Sequence, residues 1–407
     1  MKYRDLILYV FAFSIFLLML KSLNFYYLWD TDSRLLQYSA LAAGITYYLR
    51  YYSIIKGGHT ALILFFFYAI AALWNTFQFN TGIGIILLAS PFLFFLLAMP
   101  SNHKIILLKA WTRLYAVILL VSLIAFWISW IPGVPNGGTV INEAADGYVY
   151  TNYWLCIRGA FYDIRFNSLF LEPGHTAMIA AFTLMANNFN LKDKYVFTIL
   201  ICSMFTFSLA GYVLFIIGYF MKRVFQVSFK KACKNIAGYV LLLAVFYIVA
   251  ISYNNGDNLV NTLIVERLQY DDEVGISGNN RTGEQTDDTF FFFMKSSESF
   301  VGMPPQKYAS YRDADLIRGA GYKLYIMQKG IIGTLLILIF YFLLYRKGQN
   351  HNLMLCMLII YILAFIQRAY PTWQSWFCLF VLAMANEGIE KQMDNKKNKI
   401  GFVSPER

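Results

Sequence analysis

The run Tyr195–Phe220, "YVFTILICSMFTFSLAGYVLFIIGYF", decides how this chain is built. At 26 uncharged residues it is long enough for one tilted membrane-crossing helix, which needs about 20 apolar residues. Yet basic residues stand at both ends: Lys192 and Lys194 before it, Lys222, Arg223, Lys230, Lys231 and Lys234 after it. A single crossing would put one cluster on the outer face, against the bias that keeps Lys and Arg in cytoplasmic loops. Two arms turning at "SLAGY" (Ser208–Tyr212) keep both clusters inside. Each arm, at about 14 residues, is short for a full span, so two crossings and a re-entrant hairpin both stand as readings.

The rest of the chain has the same character. Its 407 residues are 58% apolar, 18% aromatic and 14% charged, where a soluble domain carries roughly 25% charged residues. Apolar segments lie near 6–27, 35–55, 60–79, 81–99, 111–131, 173–189, 195–209, 211–222, 236–253, 322–345, 352–369 and 372–387. The first is followed by "FYYLWDTDSR" rather than small residues, and with Lys2 and Arg4 it suits a retained anchor, not a cleaved signal. Twelve crossings with both termini inside place 21 of the 34 Lys and Arg on the cytoplasmic face. The expected fold is therefore all-α: a polytopic integral membrane protein of about 12 transmembrane helices with two large extracytoplasmic loops.

The expected divisions are N-terminal helices in 1–131, a first large loop in 132–171 and central helices with a short hairpin near 208–212 in 172–253. A second large loop follows in 254–321, then C-terminal helices in 322–390 and a basic tail in 391–407. "TFFFFM" in the second loop reads as an interfacial element, since aromatic residues favour the headgroup zone. The net charge of +11 sits in the inner loops and tail and does not call for nucleic acid. Of five cysteines only Cys156 faces outside, so no outer pair exists to be oxidised.

The inner loops are brief and hold no Gly-rich phosphate loop, so an enzyme of this topology works on the outer face. Nucleotide donors are scarce there, and a donor would have to be membrane-bound and already activated, such as a lipid-linked diphosphate. One stretch suits such chemistry: "RFNSLFLEPGHTAMIAAF", Arg165–Phe182. Pro173 is tolerated only in a first helical turn, which places Glu172 at the N-cap, at the positive end of the helix. Arg165 can fold back as a counter-charge, His175 lies in the same first turn, and Glu172 is a candidate general base for a sugar hydroxyl. The competing reading has Glu172 merely capping a helix and Arg165 reaching for headgroups.

The second loop supplies cations: Arg267, Arg281, Lys295, Lys307, Arg312 and Arg318, with Lys323 and Lys329 beyond it. A helix reaching back to Arg318 would align Arg318, Tyr322, Tyr325 and Lys329 on one face, a donor set suited to a pyrophosphate. Arg281 stands among turn-forming residues in "SGNNRTGE"; the alternative is that these cations balance the loop's own carboxylates. "DTD" (Asp30–Asp32) and "DAD" (Asp313–Asp315) offer too few ligands for a metal. Neither metal nor cofactor is expected.

These residues resemble a known family. "RFNSLFLEPGHTA" is similar to the Arg…Glu-Pro helix entrance of bacterial O-antigen polymerases, the oligosaccharide repeat unit polymerases, which are related to O-antigen ligases. "LICSMFTFSLAGYVLFII" resembles their short paired helices, "NNRTGE…SFVGMPP" their arginine-bearing second loop, and "GAGYKLYIMQKGIIGTLLIL" the helix that closes that loop. The likeness covers roughly 162–345. It implies a GT-C-like, inverting, metal-independent glycosyltransferase of the bacterial inner membrane, with its site facing the periplasm. Such an enzyme moves a growing polysaccharide from undecaprenyl diphosphate onto the terminal hydroxyl of a new lipid-linked repeat unit.

By the resemblance Glu172 is the acid/base candidate, and Arg165 and Arg281 contact diphosphate or sugar. Arg318, Tyr322 and Lys323 join the binding set from the helix reading, and His175, which departs from the family pattern, joins it from its place beside Glu172. Partners implied are undecaprenyl-diphosphate-linked oligosaccharides, membrane lipids, and a chain-length regulator and flippase of the same pathway, with no nucleic acid. Two other readings stand beside the polymerase. An O-antigen ligase would lean on a histidine in the second loop, and 254–321 contains none. A lipid-linked saccharide flippase would show repeated halves and short loops, whereas no repeat is visible and the outer loops run to about 40 and 68 residues.

Overall fold

A computed structural model describes residues 3–55, 57–74, 91–142, 147–160, 164–225, 229–258, 261–266, 270–271, 275–276, 284–317, 319 and 321–386. The chain is mostly helical. In order come α1 (Tyr3–Ser22), α2 (Ser33–Tyr51), α3 (Gly58–Leu73), α4 (Pro91–Ala98) and α5 (Ser101–Ile128). After 132–171 follow α6 (Pro173–Ala186), α7 (Lys194–Met204), α8 (Leu209–Phe225) and α9 (Phe229–Ser252). Short helices α10 (Glu284–Met294), α11 (Glu298–Val301) and α12 (Pro305–Asp313) precede α13 (Tyr322–Lys347), α14 (His351–Gln367) and α15 (Gln374–Ala383). Two of these, α5 and α13, are long and apolar enough to cross a membrane, at 28 and 26 residues.

The helix α6 forms the centre: every residue from Pro173 to Ala186 is buried. A helix apolar all round must be covered on all sides, and α6 packs against α7, α8, α14 and α15. Small residues allow close crossings; a Cβ added to Gly211 of α8 would lie 2.4 Å from that of Ala177. On the α5 side Trp111 donates from Nε1 to Thr183 Oγ1 at 3.1 Å, and the Tyr115 hydroxyl donates to the Thr176 carbonyl at 2.7 Å. The outer helices turn large apolar side chains outward, among them Phe13, Leu49, Phe66, Ile124 and Leu335.

The run Tyr195–Phe220 is two helices, α7 and α8, as the flanking charges require. The corner falls at Phe205–Ser208, a little before the expected "SLAGY", with Phe207 at φ 45°. Hydroxyls explain the shift: Thr206 Oγ1 donates to the Ser203 carbonyl at 2.7 Å, and Ser208 Oγ accepts from Gly211 N–H at 3.3 Å. Ser208 thus caps α8, and Gly211 belongs to the helix as a packing residue.

The mostly helical chain is consistent with the all-α expectation, and the first loop adds a small sheet. Thr139–Asn142 (β1), Tyr148–Asn152 (β2) and Ile157–Gly159 (β3) pair antiparallel in the order β1-β2-β3. Arg158 fastens this sheet to the end of α5, lying 4.1 Å over the Trp130 ring and donating to the Ser129 carbonyl at 3.1 Å. On the other side Tyr150 donates to the Leu171 carbonyl at 2.7 Å, just before Glu172.

The closing helix differs as well. It begins at Tyr322 and does not reach back to 318, because Gly319 and Gly321 stand at φ 93° and 144°. Inside α13, Gly330 at φ 69°, ψ 177° leaves the helical region. There a Cβ would lie 2.4 to 2.6 Å from the Phe300–Gly302 backbone, which is wedged against the break.

Contacts at the helix ends fix their directions. At one end Gln349 donates to Ser101 Oγ at 2.9 Å and, through its backbone, to the Met384 carbonyl at 3.0 Å. Asn386 donates there to the Ala186 carbonyl at 2.9 Å, and Lys222 Nζ to that of Phe189 at 3.0 Å. At the other end α1 and α15 meet, Ser375 N–H donating to Ser22 Oγ at 3.2 Å, near Glu172 and the sheet.

Candidate functional site

Glu172 is the N-cap of α6 in extended conformation (φ −138°, ψ 148°), with Pro173 at the first helical position. Its side chain makes no capping hydrogen bond; the carboxylate pairs instead with Arg368. Arg368 stands just after α14, in the turn "RAYPTW" (Arg368–Trp373) that leads into α15. It is 2% exposed, while the Glu172 side chain keeps 18% of its surface open. The guanidinium stays charged with Glu172 as its counter-ion, as arginine does in proteins generally. The pair is thus a fixed cation with a partly accessible carboxylate.

His175 completes the cluster. It is 3% exposed, and its Nε2 lies 3.4 Å from Arg368 Nη1. Its ring stands edge-on to Trp373 at 5.0 Å and to Tyr370 at 5.9 Å, and those two rings stack at 3.9 Å, inclined by only 6°. Buried tyrosines fix the turn from below: Tyr341 donates to the Pro371 carbonyl at 2.9 Å and Tyr68 to that of Thr372 at 3.4 Å. Gly174 leaves room for the guanidinium, since a Cβ there would lie 2.8 Å from Arg368 Nη2.

The other expected site residues distribute differently. Arg165 donates from Nε to the Thr206 carbonyl at 3.2 Å, tying the sheet segment to the α7–α8 corner; the counter-charge on Glu172 is Arg368. Lys323 pairs with Asp287 of α10 at 2.7 Å, and Tyr322 stands edge-on to Phe290 at 6.2 Å. These two therefore anchor the α10 element, while Gly321, where an added Cβ would lie 3.0 Å from the Ile366 carbonyl, brings the start of α13 close to the end of α14. Arg281 and Arg318 lie outside the described residues. Phe290–Met294 forms the end of α10, with Phe293 buried and Phe291 and Phe292 exposed.

Sequence reading missed Arg368, Tyr370 and Trp373. The available signal was an arginine confined between two apolar segments with only "AYPTW" beside it, since ionisable residues in such a place are costly and often functional. As for metals, no group of three His, Cys, Asp or Glu that could hold an ion occurs among the described residues. Asp32 of "DTD" caps α2, accepting from Arg34 N–H at 2.9 Å. The assembled site offers a carboxylate, a buried cation, an imidazole and an aromatic platform at one end of the helical bundle. Compared with protein-family models, curated proteins and solved structures, the chain finds no match in any of the three.

Proposed function

We propose that this chain is a membrane glycosyltransferase that joins lipid-diphosphate-linked oligosaccharide repeat units into a polysaccharide, as the O-antigen polymerases it resembles do. The observation that carries this reading is the Glu172–Arg368 pair, a carboxylate that does not cap its own helix and stays partly open beside aromatic rings. Glu172 accepts the proton of the acceptor hydroxyl as that oxygen bonds to the anomeric carbon and the lipid diphosphate departs. Arg368, itself buried, orients the carboxylate, and the leaving diphosphate departs from the face of the anomeric carbon opposite the base. By the family likeness Arg281, which lies outside the described residues, contacts diphosphate or sugar, and undecaprenyl diphosphate is the carrier.

In this reading the helices cross the bacterial inner membrane twelve times, with the site on the periplasmic face. Support comes from the outward apolar side chains, which suit lipid, and from the basic residues Lys222, Arg346 and Lys347 at the end opposite Glu172.

The test is reconstitution of the protein with undecaprenyl-diphosphate-linked repeat units and inspection of products on a gel. Wild type should give a ladder. Glu172→Gln should slow it by about 10²- to 10⁴-fold, the usual contribution of a general base. A ladder formed by Glu172→Gln at the wild-type rate removes the base assignment. Transfer only to a lipopolysaccharide core, or translocation without chain growth, would replace the polymerase with a ligase or a flippase.

A further inference from the structure

A cavity of about 310 Å³ opens where the end of α1, the start of α2 and the start of α15 converge. Its size falls at the lower end of the roughly 300–1,000 Å³ of small-molecule sites. Lys21, Asn24, Ser33, Gln37, Trp373 and Gln374 line it. None of these was singled out by the sequence, and none belongs to the Glu172 cluster except through Trp373.

The lining selects a ligand class. Three amides and two serine hydroxyls, Ser22 and Ser33, each both donate and accept hydrogen bonds, which matches ligand hydroxyls. The one cation is already engaged, since Lys21 Nζ donates to the Leu28 carbonyl at 2.7 Å and to that of Trp29 at 2.9 Å. An ammonium has three donors, so one is left for a ligand oxygen, and the nearby Asp30 and Asp32 carboxylates offset its charge toward a phosphate. No carboxylate lines the cavity to attract a cation. Trp373 supplies a broad aromatic wall, locked by its stack on Tyr370 at 3.9 Å. Amides around a fixed indole suit a neutral, polyhydroxylated ring.

The same indole touches the site already described. It lies 5.0 Å from the His175 ring, His175 Nε2 lies 3.4 Å from Arg368 Nη1, and Arg368 pairs with Glu172. We infer that the cavity is a subsite for a neutral sugar residue of the oligosaccharide, linked through Trp373, His175 and Arg368 to the carboxylate at which the chain is joined. This rests on the glycosyltransferase reading for the identity of the whole substrate, but not for the sugar chemistry of the cavity. The subsite positions the oligosaccharide; it does no bond chemistry itself.

Binding is read first, without any lipid-linked substrate. Saturation-transfer NMR on the purified full chain, with a panel of neutral hexoses and N-acetylhexosamines and with glycerol 3-phosphate as a headgroup probe, should show transfer to at least one sugar and none to glycerol phosphate. Gln37→Trp, which fills the cavity from the half-buried face of α2, should abolish the signal, and Trp373→Ala should weaken it. Because Trp373→Ala also removes packing from the turn, Gln37→Trp decides the matter. No sugar signal, a signal indifferent to Gln37→Trp, or transfer to glycerol phosphate alone overturns the subsite.

The ladder assay then separates the two ideas. Gln37→Trp should raise KM for the repeat unit by about tenfold or more, the loss of one well-made contact, with kcat less affected. An unchanged KM sinks the subsite and leaves the glycosyltransferase standing. Sugar binding by a protein that makes no ladder sinks the glycosyltransferase and leaves the subsite.

Discussion

At the residue scale the site turns on a pairing between positions 196 apart in sequence. Glu172 and its place at a helix start were legible, because a proline that can stand only in a first turn fixes the preceding residue as the cap. Its partner was not, because helix spacing relates residues on one element and carries nothing across the bundle. Arg165 was the nearest cation in sequence and drew the assignment; the Thr206 carbonyl takes it instead. Removing one member of a buried pair strands the other, at a cost of about 3–5 kcal/mol, the lower end applying here because Glu172 is partly open. Arg368→Gln should therefore lower the melting temperature of the detergent-solubilised protein clearly, and Glu172→Gln/Arg368→Gln should recover most of it while remaining inactive. A double variant as unstable as Arg368→Gln would show that packing of the arginine, not pairing, holds the turn.

At the element scale the hairpin of α7 and α8 was readable from its flanking charges, and only its corner moved, because Ser208 serves as a cap rather than a turn. The sheet in 132–171 was not read. Its strands run only three to five residues, yet "TVI" and "YVYT" carry the β-branched and aromatic bias of strands beside glycines. Cys156, fully buried next to β3, reports on that sheet: burial pushes its thiol up to about 12, with Arg158 opposing the rise. At pH 8 roughly one thiol in ten thousand is then ionised, and alkylation by N-ethylmaleimide should be slow. In Arg158→Ala the loss of a nearby cation alone would raise the pKa and slow the reaction further. Faster alkylation in that variant, the outcome expected, means that the sheet has come loose from α5.

The break in α13 makes a second prediction at this scale. The sequence shows "KGIIG" within an apolar run and does not say which glycine leaves the helix. Gly330 does, because the Phe300–Gly302 backbone presses against it, whereas Gly333 faces the Trp74 ring. At φ 69°, ψ 177° a non-glycine residue is strained by about 1–3 kcal/mol before any clash. Gly330→Ala should destabilise the protein by more than about 2 kcal/mol in a thermal or denaturant melt. A neutral result would mean that α11 can withdraw and α13 straighten.

At the scale of the whole molecule, Lys222, Arg346 and Lys347 stand at the end of the bundle opposite the site, and this gives the proposed topology a direct test. Lys222 and the final turn of α13 stand at the end marked by Gln349, and the sheet stands at the end marked by Glu172. Cys156, Cys202, Cys356 and Cys378 are all buried, so a thiol placed on the surface reports with little background once Cys233 is changed to serine. Thr139 on β1 and Gln349 between α13 and α14 are both exposed. If the site faces the periplasm, a membrane-impermeant maleimide added to intact spheroplasts should label Thr139→Cys and leave Gln349→Cys untouched until the membrane is opened. Labelling of both in intact spheroplasts would mean that the helices do not separate two compartments. The reverse pattern would place Glu172 on the cytoplasmic side, where nucleotide-activated donors are at hand and a lipid-linked donor is no longer required.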